Sequence, residues 1–326
     1  MSEAVLDRIR ELIQCDVNNR GLARDPHENL FTRCREDFAH ACRSIADHPR
    51  PSLGLVTGFY VPHAHPPCGE TDGPLGALFV ARALTGIGTS VMLLADSFCR
   101  RPLERGVDAS ELGDRILVAT LPPPGHSWKT FRELEWPSLC EKKAVTHLIA
   151  LERVGPGRDD RCRNMRGFDV TAQNAPVHFL FEDAARRTPR LTTIGIGDGG
   201  NEIGMGKVPP EIIARNVPNG ERIACRVPTD HLIVAGVSNW GAYALAAGVA
   251  VLRRQRLPVS LFDVEREREL LRIMVEQGPL VDGVTAKQTI TVDGLPFDDY
   301  VEPLRRIGEL LEKEQCLTYP ERPGPR

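Results

Sequence analysis

A glycine-rich segment in the middle of the chain carries the residues best suited to chemistry. Six of the twelve residues in 195–206 are glycine, and an apolar run typical of a buried strand precedes them. Glycine lets the backbone take left-handed conformations and come close to a ligand. Asp198, Asn201 and Glu202 lie among these glycines. A strand that runs into such a loop is typical of a site at the carboxyl end of an α/β sheet, so the sequence predicts a functional loop here.

The same loop argues against a dinucleotide. Gly195, Gly197 and Gly200 match the spacing of the dinucleotide-binding fingerprint, but Pro209 and Pro210 interrupt the helix that should follow. No acidic residue stands at a strand end about 20 residues further on, where the ribose contact is expected. The pattern therefore does not predict a nucleotide-binding helix after this loop.

The acidic side chains of the loop are candidate metal ligands. Asp198 and Glu202 offer carboxylate oxygens, which hard cations such as Mg²⁺ and Mn²⁺ prefer. The sequence predicts no certain cofactor, and a divalent cation, Mn²⁺ or Mg²⁺, is the one candidate.

A second loop, residues 69–76, is also rich in glycine and acids. Glu70, Thr71, Asp72 and Gly73 lie just before a helix in which Pro74 fits the first turn. Thr71 or Asp72 is placed to cap that helix, which is a sufficient structural reason for either residue. The free N–H groups of a helix N-terminus also attract anions, so the loop is a candidate ligand contact.

Two further loops supply candidate ligand contacts. One follows the strand that ends at Leu151 and is rich in arginine, whose planar fork suits carboxylates, although most arginines are solvated surface residues. In the other, Ser238 is a typical helix N-cap and Asn239 lies near a strand end. The predicted substrate-binding residues are Glu70, Thr71, Asp72, Gly73, Glu152, Arg153, Asn164, Arg166, Gly199, Gly200, Ser238 and Asn239.

Apolar runs that alternate with helical patterns predict the elements that position these loops. Six predicted strands cover 52–61, 90–95, 115–120, 146–151, the run before Gly195, and 231–237. Helices are predicted near the N-terminus and at 177–187, 242–252, 264–276 and 303–315. Asp282 and Asp293, each followed by glycine, are interpreted as turn formers.

The alternation indicates an α/β fold with a doubly wound, mainly parallel sheet of about six strands flanked by helices, which is a Rossmann-like arrangement. We expect one domain over 1–326. It has a helical N-terminal extension (1–50), a core (52–297), and a C-terminal helix and tail (302–326), frayed from Tyr319 onward.

Composition narrows the class of protein. A net charge of −3 gives no sign of binding to nucleic acid or to an anionic membrane, and no apolar run approaches the length of a membrane span. The nine cysteines include no CxxC pair, which fits reduced thiols. The N-terminus contains acids and lacks a signal-peptide core or a transit-peptide pattern. We therefore expect a cytoplasmic protein with a small-molecule partner, and the sequence leaves a homo-oligomer open.

Several motifs together resemble the D-glutamate cyclase C-terminal domain family, over about residues 53–296. They are the 195–206 loop, Glu70-Thr-Asp-Gly-Pro74, Asn164-Met-Arg-Gly167, Val237-Ser-Asn-Trp-Gly-Ala-Tyr243 and Thr291-Val-Asp-Gly-Leu-Pro296. The resemblance implies a lyase that converts D-glutamate to 5-oxo-D-proline and water. In animals the family forms the C-terminal part of a mitochondrial enzyme. This chain lacks the separate N-terminal domain and a visible transit peptide, so we expect a free-standing, bacterial version.

This reaction needs a base for the amine, donors for the oxyanion and an anchor for the α-carboxylate. The predicted catalytic residues are Asp198, Glu202 and Asn201, with Asp198 or Glu202 as the base. The oxyanion donors are predicted at the Gly199 and Gly200 N–H groups, and the anchor at the helix N-terminus near Gly73 or on Arg153 or Arg166. Two alternatives stay open: an enzyme that acts on a phosphorylated or nucleotide ligand, and a non-catalytic module that binds an acidic metabolite.

Overall fold

Six parallel strands form the central sheet of the computed structural model, which describes residues 2–319; the predicted tail from 320 to 326 lies outside the described residues. The strands are β1 (Ser52–Thr57), β2 (Ser90–Ala95), β3 (Leu117–Thr120), β4 (His147–Leu151), β5 (Thr192–Gly197) and β6 (His231–Val234). Their order across the sheet is β3-β2-β1-β4-β5-β6, and every neighbouring pair is parallel. This is the strand order of a doubly wound Rossmann-like fold, so the predicted fold class is confirmed.

Ten helices of seven or more residues are present among the described residues. They are α1 (Ser2–Ile13), α2 (Asp37–Ala46), α3 (Pro74–Gly86), α4 (Ser97–Ala109), α5 (Trp136–Lys143), α6 (His178–Ala184), α7 (Pro210–Asn216), α8 (Ser238–Leu252), α9 (Val264–Glu276) and α10 (Glu302–Lys313). Shorter helical segments are Val17–Asn19, Leu30–Arg33, His126–Thr130, Phe131–Glu135, Thr171–Gln173, Gly220–Ile223, Val259–Phe262 and Phe297–Tyr300. Small two-stranded pairings join Tyr60–Val61 to Cys68–Gly69, Thr291–Val292 to Leu295–Pro296, and Leu257–Pro258 to Leu317–Thr318.

Helices cover both faces of the sheet. On one face α8 is buried along nearly its whole length, because small residues let α3 and the N-terminal helices α1 and α2 pack closely around it. The other face buries a second cluster that includes Trp136, Phe181 and Ile213. Both faces of the sheet are therefore apolar, which explains why the strands read as continuous hydrophobic runs.

Some predicted boundaries were wrong for local reasons. The first strand was predicted to reach residue 61, but Gly58 has a φ of 110° and turns the chain, so β1 ends at Thr57. The strand predicted for 231–237 ends at Val234. The helix predicted to begin at residue 242 begins at Ser238, which is its first residue and not its N-cap.

The sheet positions the candidate loops through its connectivity. The chain runs from β1 outward through β2 to β3, and from the neighbouring β4 outward through β5 to β6. A crevice forms at the carboxyl ends of β1 and β4, where the winding reverses, and such a crevice is where open α/β sheets bind ligands. Glu152 directly follows β4 and Asp198 directly follows β5, so both loops begin at this edge.

The contact between α8 and the N-terminal helices can be tested at Gly248. A Cβ atom at this position would lie 2.5 Å from Cys42 Sγ and 3.1 Å from Leu6 Cδ2. We expect Gly248→Ala to lower the free energy of unfolding by roughly 1–3 kcal/mol through overpacking. In a Cys42→Ala background the cost should be smaller, because the clashing sulfur is gone. Urea denaturation of the wild type, the two single variants and the double variant measures this. If the two substitutions have additive effects on the free energy of unfolding, the packing described above is contradicted.

Candidate active site

A cavity of about 190 Å³ lies at the carboxyl ends of the central strands. The loops that follow β1, β4 and β5 contribute to its wall, together with the N-terminal segment and the turn near residue 293. The charged and amide side chains that line it are Arg20, Glu70, Glu152, Asn164, Arg166, Asp198, Asn201 and Asp293. Its volume is below the 300–1,000 Å³ typical of sites for drug-sized ligands, and it suits a molecule of amino-acid size.

Arg20 enters this cavity from the segment between α1 and α2. Its Nη1 lies 2.5 Å from Asp198 Oδ2, and its Nη2 lies 2.8 Å from Asp293 Oδ1. Burial lowers the pKa of a guanidinium, but the carboxylates of Asp198, Asp293 and Glu152 outweigh this and hold the Arg20 pKa well above its ordinary value. Arg20 is therefore a fixed positive charge among acids.

Six carboxyl groups are buried in or beside the cavity: Glu70, Asp72, Glu152, Asp198, Glu202 and Asp293. Five of them form two overlapping sets of three, in each of which the carboxylate oxygens lie within 4.8 Å of one another. One set is Asp72, Asp198 and Asp293, and the other is Glu152, Asp198 and Glu202. Asp198 belongs to both sets and is the centre of the cluster.

Burial and mutual repulsion disfavour the ionised forms of these acids. Burial, and then the charges of Asp293 and Asp198, raise the pKa of Glu70 and of Asp72 well above the ordinary range. Burial, followed by the charge of Asp198, does the same to the pKa of Glu152. The protonated forms of these three acids are therefore favoured more strongly than those of acids at the protein surface.

Asp293 combines a structural and an electrostatic role. It has a φ of 56° in the two-residue turn between the short strands Thr291–Val292 and Leu295–Pro296, as expected for a turn former. Its carboxyl group nevertheless faces the cavity, and burial raises its pKa to about 7 despite the nearby Arg20. No N–H or O–H group among residues 2–319 donates a hydrogen bond to its buried Oδ2. Asp282, in contrast, accepts hydrogen bonds from the N–H groups of Val284, Thr285 and Gly294 and is a turn former only.

The N-termini of α3 and α8 cap each other. Asn239 Oδ1 accepts hydrogen bonds from the N–H groups of Gly73 and Gly76 at 2.9 and 2.7 Å. In return, the Asp72 carboxylate accepts from the N–H groups of Ser238 and Asn239 at 2.9 and 2.8 Å. The two helices are locked together at their first turns, beneath the cavity.

This arrangement corrects several sequence-based expectations. Thr71 and Asp72 do not cap α3; the Thr71 hydroxyl donates to the Thr291 carbonyl. The Gly73 N–H already has a partner, so the helix N-terminus is not free to bind an anion. Gly73 has a φ of 93°, and a Cβ there would lie 2.7 Å from Thr57 Oγ1, which explains its glycine. The Ser238 hydroxyl donates to Glu152 Oε2 at 2.6 Å instead of capping a helix.

Glu202 has a different task from the one expected. Its carboxylate accepts three backbone hydrogen bonds, from Asp198, Gly199 and Gly200, at 2.5–2.7 Å. The predicted oxyanion donors at Gly199 and Gly200 are therefore already occupied. Glu202 is wholly buried and holds the loop in shape, which makes Asp198 the better candidate for a base.

The two arginines predicted to contact the substrate lie in different places, Arg153 in the core and Arg166 at the rim of the cavity. Arg153 is completely buried and pairs with Asp96, and it donates to the carbonyls of Gly58 and Ala175. It does not line the cavity, so its predicted substrate contact was wrong. Arg166 is exposed at the rim, where its Nη2 donates to the Val284 carbonyl at 2.8 Å.

Two amides lie at the same wall. Asn164 accepts from the N–H groups of Arg166 and Phe168, which shapes the rim turn, and Asn201 donates to the Arg163 carbonyl. Both side chains remain next to the cavity.

Larger grooves lie elsewhere on the surface, including four of about 300 to 980 Å³, of which two stand out by their volume. One, of about 790 Å³, is next to α7, and the other, of about 980 Å³, includes Thr146 and Leu191 at the amino ends of β4 and β5. Neither contains the buried carboxyl cluster. The small acidic cavity is therefore the candidate site, although it is not the largest depression.

Comparison with known proteins agrees with the motifs. The family model described as D-glutamate cyclase-like, C-terminal, matches residues 9–308. The chain belongs to the D-glutamate cyclase-like C-terminal family. It is also 31% identical over 339 aligned residues to the mitochondrial D-glutamate cyclase of Homo sapiens, and the alignment covers 94% of this chain and 52% of that protein. The chain thus spans about half the length of this curated relative.

Family membership confirms the resemblance but leaves the compartment a prediction. The relative is described as mitochondrial, whereas the sequence led us to expect a cytoplasmic protein. Within residues 2–319, no helix is both long enough and apolar enough to cross a membrane.

Sequence reasoning missed two groups at this family's cavity. Arg20 lies in a polar, irregular segment with no motif, and its partner Asp198 is far away in the sequence. Only the fold reveals that pairing. Asp293 is within one of the motifs that carry the family resemblance, so that signal was available, but its turn-forming role was taken as a complete explanation.

The mutual cap predicts a cost for Asn239→Ala. The change leaves the buried N–H of Gly76 without its acceptor, whereas the Gly73 N–H keeps its hydrogen bond to Asp72 Oδ1 at 3.0 Å. We expect the free energy of unfolding to fall by roughly 1–3 kcal/mol, the cost of leaving a buried polar group unpaired. Chemical denaturation measures this, and an unchanged midpoint would contradict the cap.

A structural role for Arg153 makes a separate prediction. Arg153→Met leaves Asp96 buried without its cation and should destabilise the fold by about 3–5 kcal/mol. Arg132→Met, at a partly exposed pair with Asp183, should cost less than about 1 kcal/mol. If urea denaturation shows that the two variants lose the same free energy of unfolding, the Arg153 pair is not the tightly packed contact described above.

The raised pKa of Asp293 predicts how stability depends on pH. Between its ordinary value of 3.8 and about 7, the folded state binds more protons at this group than the unfolded state does. The contribution of Asp293 to the free energy of unfolding is therefore present at low pH and is lost as pH rises through this window. Asp293→Asn should raise the melting temperature by roughly 2–4 °C at pH 8 and by little at pH 4. The exposed Asp114→Asn serves as control, and a pH-independent difference for Asp293→Asn would contradict the assignment.

Proposed function

We propose that this chain is a D-glutamate cyclase-like lyase that converts D-glutamate to 5-oxo-D-proline with loss of water. Membership of the family and the similarity to a D-glutamate cyclase support the reaction class. The observation that carries the proposal is the cluster of buried carboxyl groups around Arg20 in a cavity of amino-acid size. The partner we propose is accordingly a small acidic amino acid.

The reaction moves two protons from the substrate nitrogen, which is an ammonium at the start and an amide N–H at the end, to the oxygen that departs as water. The α-ammonium group loses a proton, and the amine nitrogen then attacks the γ-carboxyl carbon. The new C–N bond forms, and a C–O bond breaks as the oxygen leaves in water. A site with one base and one acid of suitable pKa accelerates both transfers, typically by 10²–10⁴-fold.

The carboxyl cluster can supply both partners. Asp293, whose pKa is raised to about 7, is suited to accept the amine proton near neutral pH, with Asp198 beside it as the second candidate base. Burial raises the pKa values of Glu70 and Glu152, which favours their protonated forms, and we propose these two groups as donors to the leaving oxygen. Separation of acid and base by environment is the pattern seen in many carboxylate enzymes.

Arg20 is the group we propose as the anchor for a substrate carboxylate. Its guanidinium faces the cavity, whereas Arg153 is buried elsewhere and the N–H groups at Gly73 are occupied. Arg166 at the rim is the second cation available to a dicarboxylate. Nη1 and Nη2 of Arg20 already pair with Asp198 and Asp293, so the anchor would use those of its five N–H donors that these two carboxylates leave unused.

The charge of the cavity also supports a divalent cation. Four acids and two arginines line it, so a substrate with two carboxylates would enter a wall that is already negative if all the acids ionise. Oxygen-only ligands favour Mg²⁺ or Mn²⁺, and a bound ion would polarise the γ-carboxyl group. We propose Asp198 as the central ligand, with Asp293 and Asp72 on one side or Glu202 and Glu152 on the other. Asp293 Oδ2, which lacks a donor among the described residues, favours the first set.

The two alternatives differ in what the cavity would have to accept. A nucleotide or sugar phosphate would need more volume and a positive wall, and the helix N-terminus once expected to bind it is capped by Asn239. A binding module without turnover would use the same cavity, so only an assay separates it from an enzyme.

The proposal is tested with the purified chain and D-glutamate, by following 5-oxoproline with mass spectrometry. L-glutamate, Mn²⁺, Mg²⁺ and a chelator form the comparison arms. We expect turnover of D-glutamate that the divalent cation increases and the chelator decreases. Binding of D-glutamate in calorimetry without turnover in any arm would support the binding module instead.

Variants then test the residue roles. Asp293→Asn should lower kcat by roughly 10²–10⁴-fold, and Asp198→Asn should do the same, because each removes a base or ligand. Arg20→Met should chiefly raise KM for D-glutamate. Glu267→Gln is the matched control, since Glu267 is a buried acid paired with Arg82 outside the cavity. Unchanged turnover in Asp198→Asn and Asp293→Asn would remove the carboxyl cluster from the mechanism.

A further inference from the structure

A second group of potential ligands lies where α2 packs against the edge strand β6. Asp37, His40 and His231 each offer one ligand atom, and these atoms all lie within 4.8 Å of one another. Asp37 and His40 are three residues apart in α2 and so share one helix face, while His231 is the first residue of β6. Two elements distant in sequence therefore bring two imidazoles and a carboxylate together.

The two imidazole rings are available to a ligand, while the Asp37 carboxylate already has partners that hold it in place. The rings of His40 and His231 have centroids 6.1 Å apart, and within residues 2–319 neither ring makes a hydrogen bond. Asp37 Oδ2 accepts the N–H of Leu232 at 2.8 Å, which fixes the carboxylate beside the start of β6. The carboxylate is thus oriented beside two imidazoles whose ring nitrogens have no hydrogen-bond partner among the described residues.

This group is separate from the candidate active site. His231 begins β6, so it lies at the amino end of the strand, whereas the acidic cavity lies at the carboxyl ends of the strands. None of the three residues lines that cavity. A ligand here would consequently be recognised by different chemistry from that of the proposed substrate.

Lys207 shows that the position attracts a cation. Its Nζ lies 2.5 Å from Asp37 Oδ2 and also donates to the Asp230 carbonyl at 2.6 Å. About a third of the Lys207 side chain is exposed, and its flexible stem allows the ammonium group to move into solvent. An ion with two charges and a preference for nitrogen would compete for the carboxylate with this single ammonium.

We infer that Asp37, His40 and His231 form a binding site for a divalent transition metal of the zinc class. Two imidazole nitrogens and one carboxylate oxygen are a ligand set that suits Zn²⁺, Co²⁺ and Ni²⁺ better than Mg²⁺ or Ca²⁺. Three protein ligands leave a fourth tetrahedral position for water. The ion displaces Lys207 from Asp37 and joins α2 to the edge of the sheet.

The experiment is calorimetric titration of the chelator-treated full chain with ZnCl₂, with MnCl₂ as the comparison ion. Because the loss of an outer contact alone weakens metal binding by 10–100-fold, His40→Ala and His231→Ala should each weaken zinc binding at least about tenfold. Lys207→Met should tighten zinc binding, because it removes the competing ammonium. His126→Ala, at an exposed histidine outside the cluster, is the matched control and should bind zinc as the wild type does.

A second measurement distinguishes the loss of this metal site from misfolding of a variant and from zinc that binds at the acidic cavity. The visible bands of bound Co²⁺ report nitrogen ligands, and they should be present in Asp198→Asn and absent in His40→Gln, whose position is exposed and tolerant. Circular dichroism checks that each variant is folded. Zinc affinity and Co²⁺ spectra unchanged in folded His40 and His231 variants would overturn the inference.

Discussion

The contact on which the site depends is the buried pairing of Arg20 with Asp198 and Asp293. Burying several carboxyl groups together is unfavourable, because each loses hydration and repels its neighbours. One guanidinium inserted between two of them offsets part of that cost and fixes their positions. The N-terminal segment is therefore part of the site, since it delivers the cation that lets the sheet edge hold so many acids.

Mutual capping of α3 and α8 is the second constraint. Through Asp72 and Asn239, each helix satisfies the free N–H groups of the other at the point where the two helices meet. Helix N-termini elsewhere often bind anions, but here that capacity is used within the protein. The surrounding acids can then be arranged without an external anion, and this favours proton transfer over phosphate recognition at the crevice.

How far the sequence alone predicts this molecule depends on the range of the contacts. Apolar runs and their alternation with helices are local signals, so the six parallel strands were predicted, with errors at their ends, one of them where Gly58 turns the chain. The loop with Asp198 was found because acids among glycines are unusual. The Arg20 pairing and the partners of Asn239 could not be found, because each joins segments that come together only when the sheet is wound.

The Glu202 carboxylate has a consequence for the ligands that the central loop can bind. Three successive amides of the central loop point at it, in the manner in which glycine-rich loops elsewhere surround a phosphate. The chain thus carries its own anion in a nest that other proteins leave vacant for a cofactor. Although the strands follow the order of nucleotide-binding sheets, a phosphate could reach these three amides only by displacing Glu202.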